Sequence, residues 1–503
     1  MPQIFSMKYV LGIDIGTGSV KAVAVNLTCE SFDVVQEHYP SQSTQPGYHE
    51  QDPEQIWTAF KKSINEISAR MNTQPIAISL SSAMHSLILV DEDCNALAPM
   101  ITWADSRSSG IAKRLKDSEE GLSIYNHTGT PIHSMSPLCK IIWLKENEPE
   151  LFNKAFKFIS IKEFIWYKIF KEFKIDYSIA SCTGLFDINR LTWYPESLNL
   201  TGITDSKLSS PVATNYCLVY EDRHVNDDLN VTPGVTFVIG ASDGCLANLG
   251  SMANKPSTAV LTIGTSGAIR IASKKPLPNF KAMTFNYILD DETFICGGPI
   301  NNGGLALQWW LKNYVSDKPS EADYDRLFDE IKAINAGSDG LFFLPYLTGE
   351  RAPIWDSESC GSFFGVKLQH NLKHFSRAVL EGICYAMKDV LEAVQENSEP
   401  ITQINIGGGF TTSDLWVQIL ADVTGKNLVI AQSEDASAMG AAYLALRTLD
   451  LITDYPTLTP KEQDVIKPDP ENSAKYNKHF EIYKQLYTDL KATMHKHHEL
   501  LNE

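Results

Sequence analysis

Residues 9–26 read YVLGIDIGTGSVKAVAVN. Two β-rich runs flank a turn of Gly16, Thr17, Gly18 and Ser19, the pattern of a β-hairpin with a glycine tip. The same grammar returns at residues 260–271, VLTIGTSGAIRI, where Gly264-Thr265 matches Gly16-Thr17 at an offset of 248 residues. A single glycine hairpin is usually no more than a turn. Two matched copies half a chain apart predict two related halves, each offering backbone N–H groups and a hydroxyl to a phosphate chain held between them.

The surrounding chain has 503 residues, 43% of them hydrophobic and 21% charged, which excludes a disordered, collagenous or disulfide-knot protein. Lys and Arg number 43 against 61 Asp and Glu, a balance of -18 that argues against nucleic acid bound over a broad basic face. An acidic protein that handles anions needs local devices, such as the two hairpins. The nine cysteines are scattered without a CxxC pair or a metal-spaced His cluster, as in a reduced cytosolic chain. Met1 to Ser6 carries no export signal and no apolar run approaches ~18 residues, so the expectation is a cytoplasmic protein with no membrane span.

Between the hairpins, Ile76 to Leu80, Met84 to Val90 and the helix-rich region from Leu138 to Phe173 alternate strand-like and helix-like stretches, predicting mixed α/β architecture. Leu372, Phe375, Val379, Ile383, Met387, Val390, Leu391 and Val394 step by three or four and predict a long helix ending before Pro400. Ile401 to Ile406 reads as a buried strand, followed by Gly407-Gly408-Gly409 and a helix from Leu415 to Val423 stopped at Gly425. Strand, glycines and helix start form an anion-binding arrangement, although a bare glycine triplet also serves a close backbone crossing. Asp454 to Ser473 reads as a surface excursion before a charged terminal helix.

Phosphoryl transfer needs metal-shielded phosphates, a fixed geometry and a carboxylate to receive the proton of the attacking hydroxyl. Asp14, against the first glycine tip, is placed to hold Mg²⁺; taken alone it reads first as an Asx-turn cap. Asp243 stands where an apolar strand breaks into Gly240-Ala241-Ser242-Asp243-Gly244, facing a cleft or simply filling a turn.

The company these residues keep resembles the FGGY family of carbohydrate kinases. The matching stretches are DIGTGSVKAV, GYHEQDPEQIW (47–57), MHS (84–86), TWADSR (102–107), GASDG (240–244), LTIGTSG (261–267), LPYLTGERAPIW (344–355), CGSFFG (360–365), residues 404–409 and residues 437–442, all in family order. The resemblance covers about residues 8 to 450 and implies an actin-like, ribonuclease H-like fold: two duplicated α/β domains, residues 1–251 and 252–503, around a cleft for ATP, Mg²⁺ and a sugar. It implies Asp243 as general base and, with Asp14, a metal-organising carboxylate. Thr17, Gly18, Ser19 and Lys21 would form the first phosphate loop and Gly264 and Thr265 the second. Gly304, Gln308, Gly408, Gly409 and Ser413 would surround the nucleotide. Where glycerol kinases carry Arg, this chain has Lys21, a less directional cation.

Met84, His85, Trp103, Asp105 and Arg107 match the family's substrate-pocket motifs. Residues 127–144, HTGTPIHSMSPLCKIIWL, and 177–188, YSIASCTGLFDI, most resemble the gluconate kinases of the family. A gluconate pocket must supply a cation or convergent donors for the carboxylate, and His133, His85, Arg107 and Lys140 are the candidates. Each histidine could instead be structural, and Arg107 could simply pin Asp105. The expected partner is thus a small sugar acid or sugar, with a homodimer left open. A xylulose kinase or another ketose or polyol kinase is the alternative reading, and a nonenzymatic actin-like ATP-binding protein is the remote one.

Overall fold

The opening hairpin forms as read. Strand β1 (Tyr9–Ile15) pairs antiparallel with β2 (Ser19–Asn26), and Gly16 N–H donates to Ser19 O at 3.0 Å across the tip. The computed structural model describes residues 8–224, 228–431 and 435–501; Met1 to Ser6, read for an export signal, lies outside them. Strands β3 (Ser31–His38), β4 (Ala77–Ser82), β5 (Cys217–Val219) and β6 (Thr236–Ser242) complete a sheet in the order β5-β6-β4-β1-β2-β3. Helix α1 (Pro53–Met71) covers one face with Ile56, Trp57, Phe60, Ile64 and Ile67. Strand β1 is buried along nearly its whole length, which explains its unbroken apolar run.

The second hairpin, β7 (Thr258–Ile263) with β8 (Gly267–Ser273), opens an analogous sheet. With β9 (Phe285–Asp290), β10 (Thr293–Ile300), β11 (Gln403–Gly407), β12 (Asn427–Ile430) and β13 (Val465–Ile466), the order is β9-β10-β8-β7-β11-β12-β13. The cores β3-β2-β1-β4-β6 and β10-β8-β7-β11-β12 share one plan, three antiparallel strands followed by two parallel ones. The repeat in sequence is therefore a repeat in topology, and the fold is two actin-like α/β units.

Five helices position the cleft. Helix α2 (Asp243–Gly250) leaves β6, and α3 (Gly304–Tyr314) starts against the second hairpin. Helix α4 (Leu372–Gln395) ends before Pro400 as its periodicity predicts, with Val379, Ile383, Met387 and Val390 buried and Leu372 left exposed at its start. Helix α5 (Asp414–Thr424) is capped by Ser413, whose Oγ accepts from Trp416 N–H at 3.3 Å, and closes at Gly425 in the left-handed region. Helix α6 (Ala436–Thr448) follows β12. The terminal helix α7 (Pro470–Leu501) begins inside the stretch read as a surface excursion. Asp469 Oδ1 accepts from Glu471 and Asn472 N–H at 2.9 Å and Pro470 fits the first turn, so the excursion ends at Asp469.

One packing arrangement is invisible in the sequence. Helix α6 belongs by order to the second half, yet it packs on β1, β4 and α2 of the first. A Cβ on Gly12 would lie 1.8 Å from Ala438 O, and one on Gly440 would lie 2.0 Å from Leu246 O, so the two backbones touch only because both positions are glycine. Val10, Val23, Leu246 and Leu249 share a core with Tyr443, Leu444, Tyr287 and Leu289, and the Lys21 Nζ–Asp435 Oδ1 ion pair at 2.6 Å crosses the same boundary. No described helix is long and apolar enough to cross a membrane.

Candidate active site

Two cavities meet at the β7–β8 tip. The larger, about 520 Å³, is walled by Gly264, Thr265, Gly304, Gln308, Gly409 and Ser413, with Tyr324, Phe328, Phe410 and Trp416 adding an aromatic side. Six residues taken from separate motifs thus converge on one space of nucleotide size. The tip is held by Gly304 N–H donating to Gly264 O at 2.7 Å and Leu305 N–H to Thr265 O at 3.1 Å. Gly408 is not part of this wall. Its φ of 110° and the 2.2 Å that would separate a Cβ from Ile263 O match the close-crossing reading of the glycine triplet.

The second cavity, about 310 Å³, is lined by Thr17 from the first tip and Gly264 from the second, together with Met84, His85, Trp103, Asp243, Arg270, Tyr287 and Arg351. Both hairpins therefore face one cleft, and Gly264 belongs to both cavities. Trp103 Nε1–H donates to Thr17 Oγ1 at 2.9 Å, tying the substrate side to the first tip. Gly18 is exposed at that tip, Ser19 Oγ accepts from Gln36 Nε2 at 2.8 Å, and Lys21 is engaged with Asp435.

Asp243 sits at the first residue of α2, where its Oδ1 accepts from Gly244 N–H at 2.7 Å. Burial, and then the charge of Asp14, push its carboxyl up to about 7, against the pull of Arg270. Asp14, at the end of β1, accepts from Ser81 Oγ at 2.7 Å and is also raised, chiefly by burial. Neither is a simple turn cap: each is a half-buried carboxylate whose charge its surroundings disfavour, a donor set that suits a divalent cation. Among the described residues no group of three or more His, Cys, Asp or Glu could hold a metal alone. Two carboxylates fit Mg²⁺, which takes few protein ligands beside substrate phosphates.

His85 has a left-handed backbone at φ 65°, and Lys140 Nζ donates to its carbonyl at 2.5 Å. Its Nδ1 lies 2.8 Å from Cys182 O and must carry the proton, leaving Nε2 as an acceptor 3.5 Å from Tyr287 Oη. Burial and nearby Lys140 hold the ring near 3, so it is neutral.

The other expected cations lie elsewhere. Arg107 clasps Asp105 through Nε to Oδ1 at 2.9 Å and Nη2 to Oδ2 at 2.8 Å, bonds Glu50, and stacks 3.7 Å over Tyr48. Asp105 also accepts from His49 N–H at 2.8 Å, so this pair braces the loop behind Trp103, as the pinning alternative held. Lys140 is fully buried beneath His85, and His133 packs on Trp355 with its Nδ1 accepting from Met135 N–H at 3.2 Å. Arg107, Lys140 and His133 do not line the cavity. The cations that do line it, Arg270 and Arg351, stood in quoted motifs without being singled out. The signal was present: Arg270 is the one charged residue in β8.

This geometry, two duplicated α/β units with a nucleotide-sized cavity and a carboxylate-bearing cavity joined at a glycine tip, defines a phosphotransferase of the actin-like class. The models of the FGGY family of carbohydrate kinases match at residues 9–250 (N-terminal domain) and 259–449 (C-terminal domain). The chain belongs to that family. It is 40% identical to the gluconokinase of Bacillus subtilis over 479 residues, 93% of each chain, and 30% identical to the xylulose kinase of the same organism over 96% of this chain and 98% of that one. Among solved structures, the gluconate kinase from Lactobacillus acidophilus superposes with a TM-score of 0.92 at 32% identity, covering 97% of this chain and 99% of that one.

Proposed function

We propose that this protein is a gluconokinase, transferring the γ-phosphoryl group of ATP to the primary hydroxyl of D-gluconate in the cytoplasm. The observation that carries the transfer reaction is the junction at Gly264, where the nucleotide-sized cavity opens onto the cavity holding Asp243. In this reading Thr17, Gly18 and Ser19 on one side and Gly264 and Thr265 on the other cradle the phosphates with backbone N–H groups and hydroxyls. Asp14 and Asp243 hold Mg²⁺, which supplies charge neutralisation along the phosphates. Asp243 orients the acceptor hydroxyl and receives its proton, and its raised carboxyl suits a base working near neutral pH. Met84, His85 and Trp103 shape the sugar pocket, with the neutral His85 Nε2 accepting from a sugar hydroxyl. The halves 1–251 and 252–503 carry the two walls.

Gluconate is favoured over a ketose by the higher identity to gluconokinases and by the cavity's charge, two guanidinium groups against one carboxylate. The test is a coupled ADP-release assay over hexonates, pentuloses and polyols, with magnesium titrated. Gluconate is expected to have the highest kcat/KM; D-xylulose turned over ten times more efficiently would replace this reading with the xylulose kinase one.

A further inference from the structure

The gluconate reading leaves open which side chain recognises the carboxylate, and this inference rests on that reading. Arg270 points from β8 into the sugar cavity on the same face as Ala268, because alternate residues of a strand share a side. Its Nη1 donates to Thr262 Oγ1 at 3.3 Å, while its Nε is closed from solvent and has no partner. No carboxylate lies within ion-pair distance of it among the described residues. Arg351, reaching in from the loop after the short strand Phe342–Leu344, likewise has an unpartnered Nε, while its Nη2 donates to Ile300 O at 2.9 Å. Two guanidinium groups, one half-buried and one buried, thus face one small cavity whose one carboxylate is Asp243.

An unpaired buried charge is costly, and a second one of the same sign raises that cost. Burial lowers the pKa of Arg270 against the pull of Asp243, and burial lowers that of Arg351 to about 10 against the pull of Glu350, with the charge of Arg270 adding to the fall. A ligand anion would satisfy both. Position separates their roles. Arg351 bonds Ile300, the cross-strand partner of Gly267 beside the tip, so it stands close to the transfer point. Arg270 is rooted three residues farther along β8, with Nη1 on Thr262 and Nε on the Gly244 side, where a Cβ would lie 3.3 Å from it, so its guanidinium flanks the cavity beside Asp243.

We propose that Arg270 is the specificity-determining residue of this site, recognising the C1 carboxylate of the sugar acid within the cavity it shares with Asp243. A guanidinium offers a planar fork to a carboxylate, and the terminal Nη2, which makes no hydrogen bond among the described residues, is the prong left for it.

The experiment compares D-gluconate with D-gluconamide, which has the same length and hydroxyls but no charge. The discrimination ratio, kcat/KM for gluconate over that for gluconamide, is measured for the wild type, Arg270→Gln and Arg270→Lys, with thermal melts on each. The expected ratio is roughly 30-fold or more in the wild type, falls at least about tenfold in Arg270→Gln, and is partly restored in Arg270→Lys. A ratio kept in Arg270→Gln, including the case where both substrates decline equally, overturns the proposal and makes Arg270 a counter-charge for Asp243. If Arg270→Gln does not fold, Arg270→Lys decides: a point charge cannot reproduce a bidentate fork, so an unchanged ratio overturns the assignment. A wild-type enzyme with no preference for gluconate over gluconamide fails the gluconate reading itself, before any variant is measured.

Discussion

Replacing Asp243 by Asn separates a catalytic carboxylate from an ordinary turn residue, because the two predict opposite signs for stability. Asn keeps the size of the side chain and an oxygen for Gly244 N–H, now 2.7 Å from Oδ1, but it carries no charge. Holding the carboxyl at about 7 instead of 3.8 means the native state binds its proton more tightly than the unfolded chain does. Stability is therefore lost as pH rises from about 4 to about 7, and above that the full penalty applies, about 4 kcal/mol. Asn removes the penalty, and Arg270, deprived of a compensating charge, takes part of the gain back. In magnesium-free buffer at pH 8, Asp243→Asn should melt higher than the wild type by a few degrees, with the gap closing towards pH 5. Steady-state kinetics with ATP, Mg²⁺ and gluconate should show kcat and kcat/KM falling together by ~10²-fold or more, since the lost interaction is made chiefly in the transition state. More than about a tenth of wild-type kcat, or a melt below the wild type at pH 8, refutes the assignment; the latter is what loss of a favourable helix N-terminal charge would give.

His85, held near 3, stays neutral from pH 5 to pH 8, so His85→Gln should lower kcat/KM for gluconate about tenfold while leaving the shape of the pH–rate profile in that window unchanged; a displaced acid limb would contradict a neutral His85. Gly12→Ala would bring a methyl group within 1.8 Å of Ala438 O, where real contacts stay beyond 3.0 Å, so α6 must shift away from β1. The cost should be about 1–3 kcal/mol or more, visible in a denaturant titration as a lower midpoint, and an unchanged midpoint would disprove the backbone contact. Gly408→Ala combines a φ of 110° with a 2.2 Å approach to Ile263 O, and is expected to weaken ATP binding measured by calorimetry along with stability, because Gly409 and Ser413 follow directly.

By itself the sequence determined the two hairpins, their kinship and the α4 periodicity, while Asp14 and Asp243 were joined only through the family resemblance. These are local or repeated patterns: glycine tips, apolar alternation and helical spacing are written in adjacent residues and survive without knowledge of partners. The tertiary structure decided which cations meet the sugar. Arg107 looked available because its motif is polar and loop-like, yet Asp105 and Glu50 close around it, while Arg270 sat in an apolar strand whose inward face only the folded sheet defines. It also decided that α6 crosses to the first half, since the backbone contacts of Gly12 with Ala438 and of Gly440 with Leu246 join positions 426 and 194 residues apart along the chain. Side-chain partners and charge compensation are long-range properties, and a linear pattern records only that a charge is present, leaving its neutralising partner to the fold.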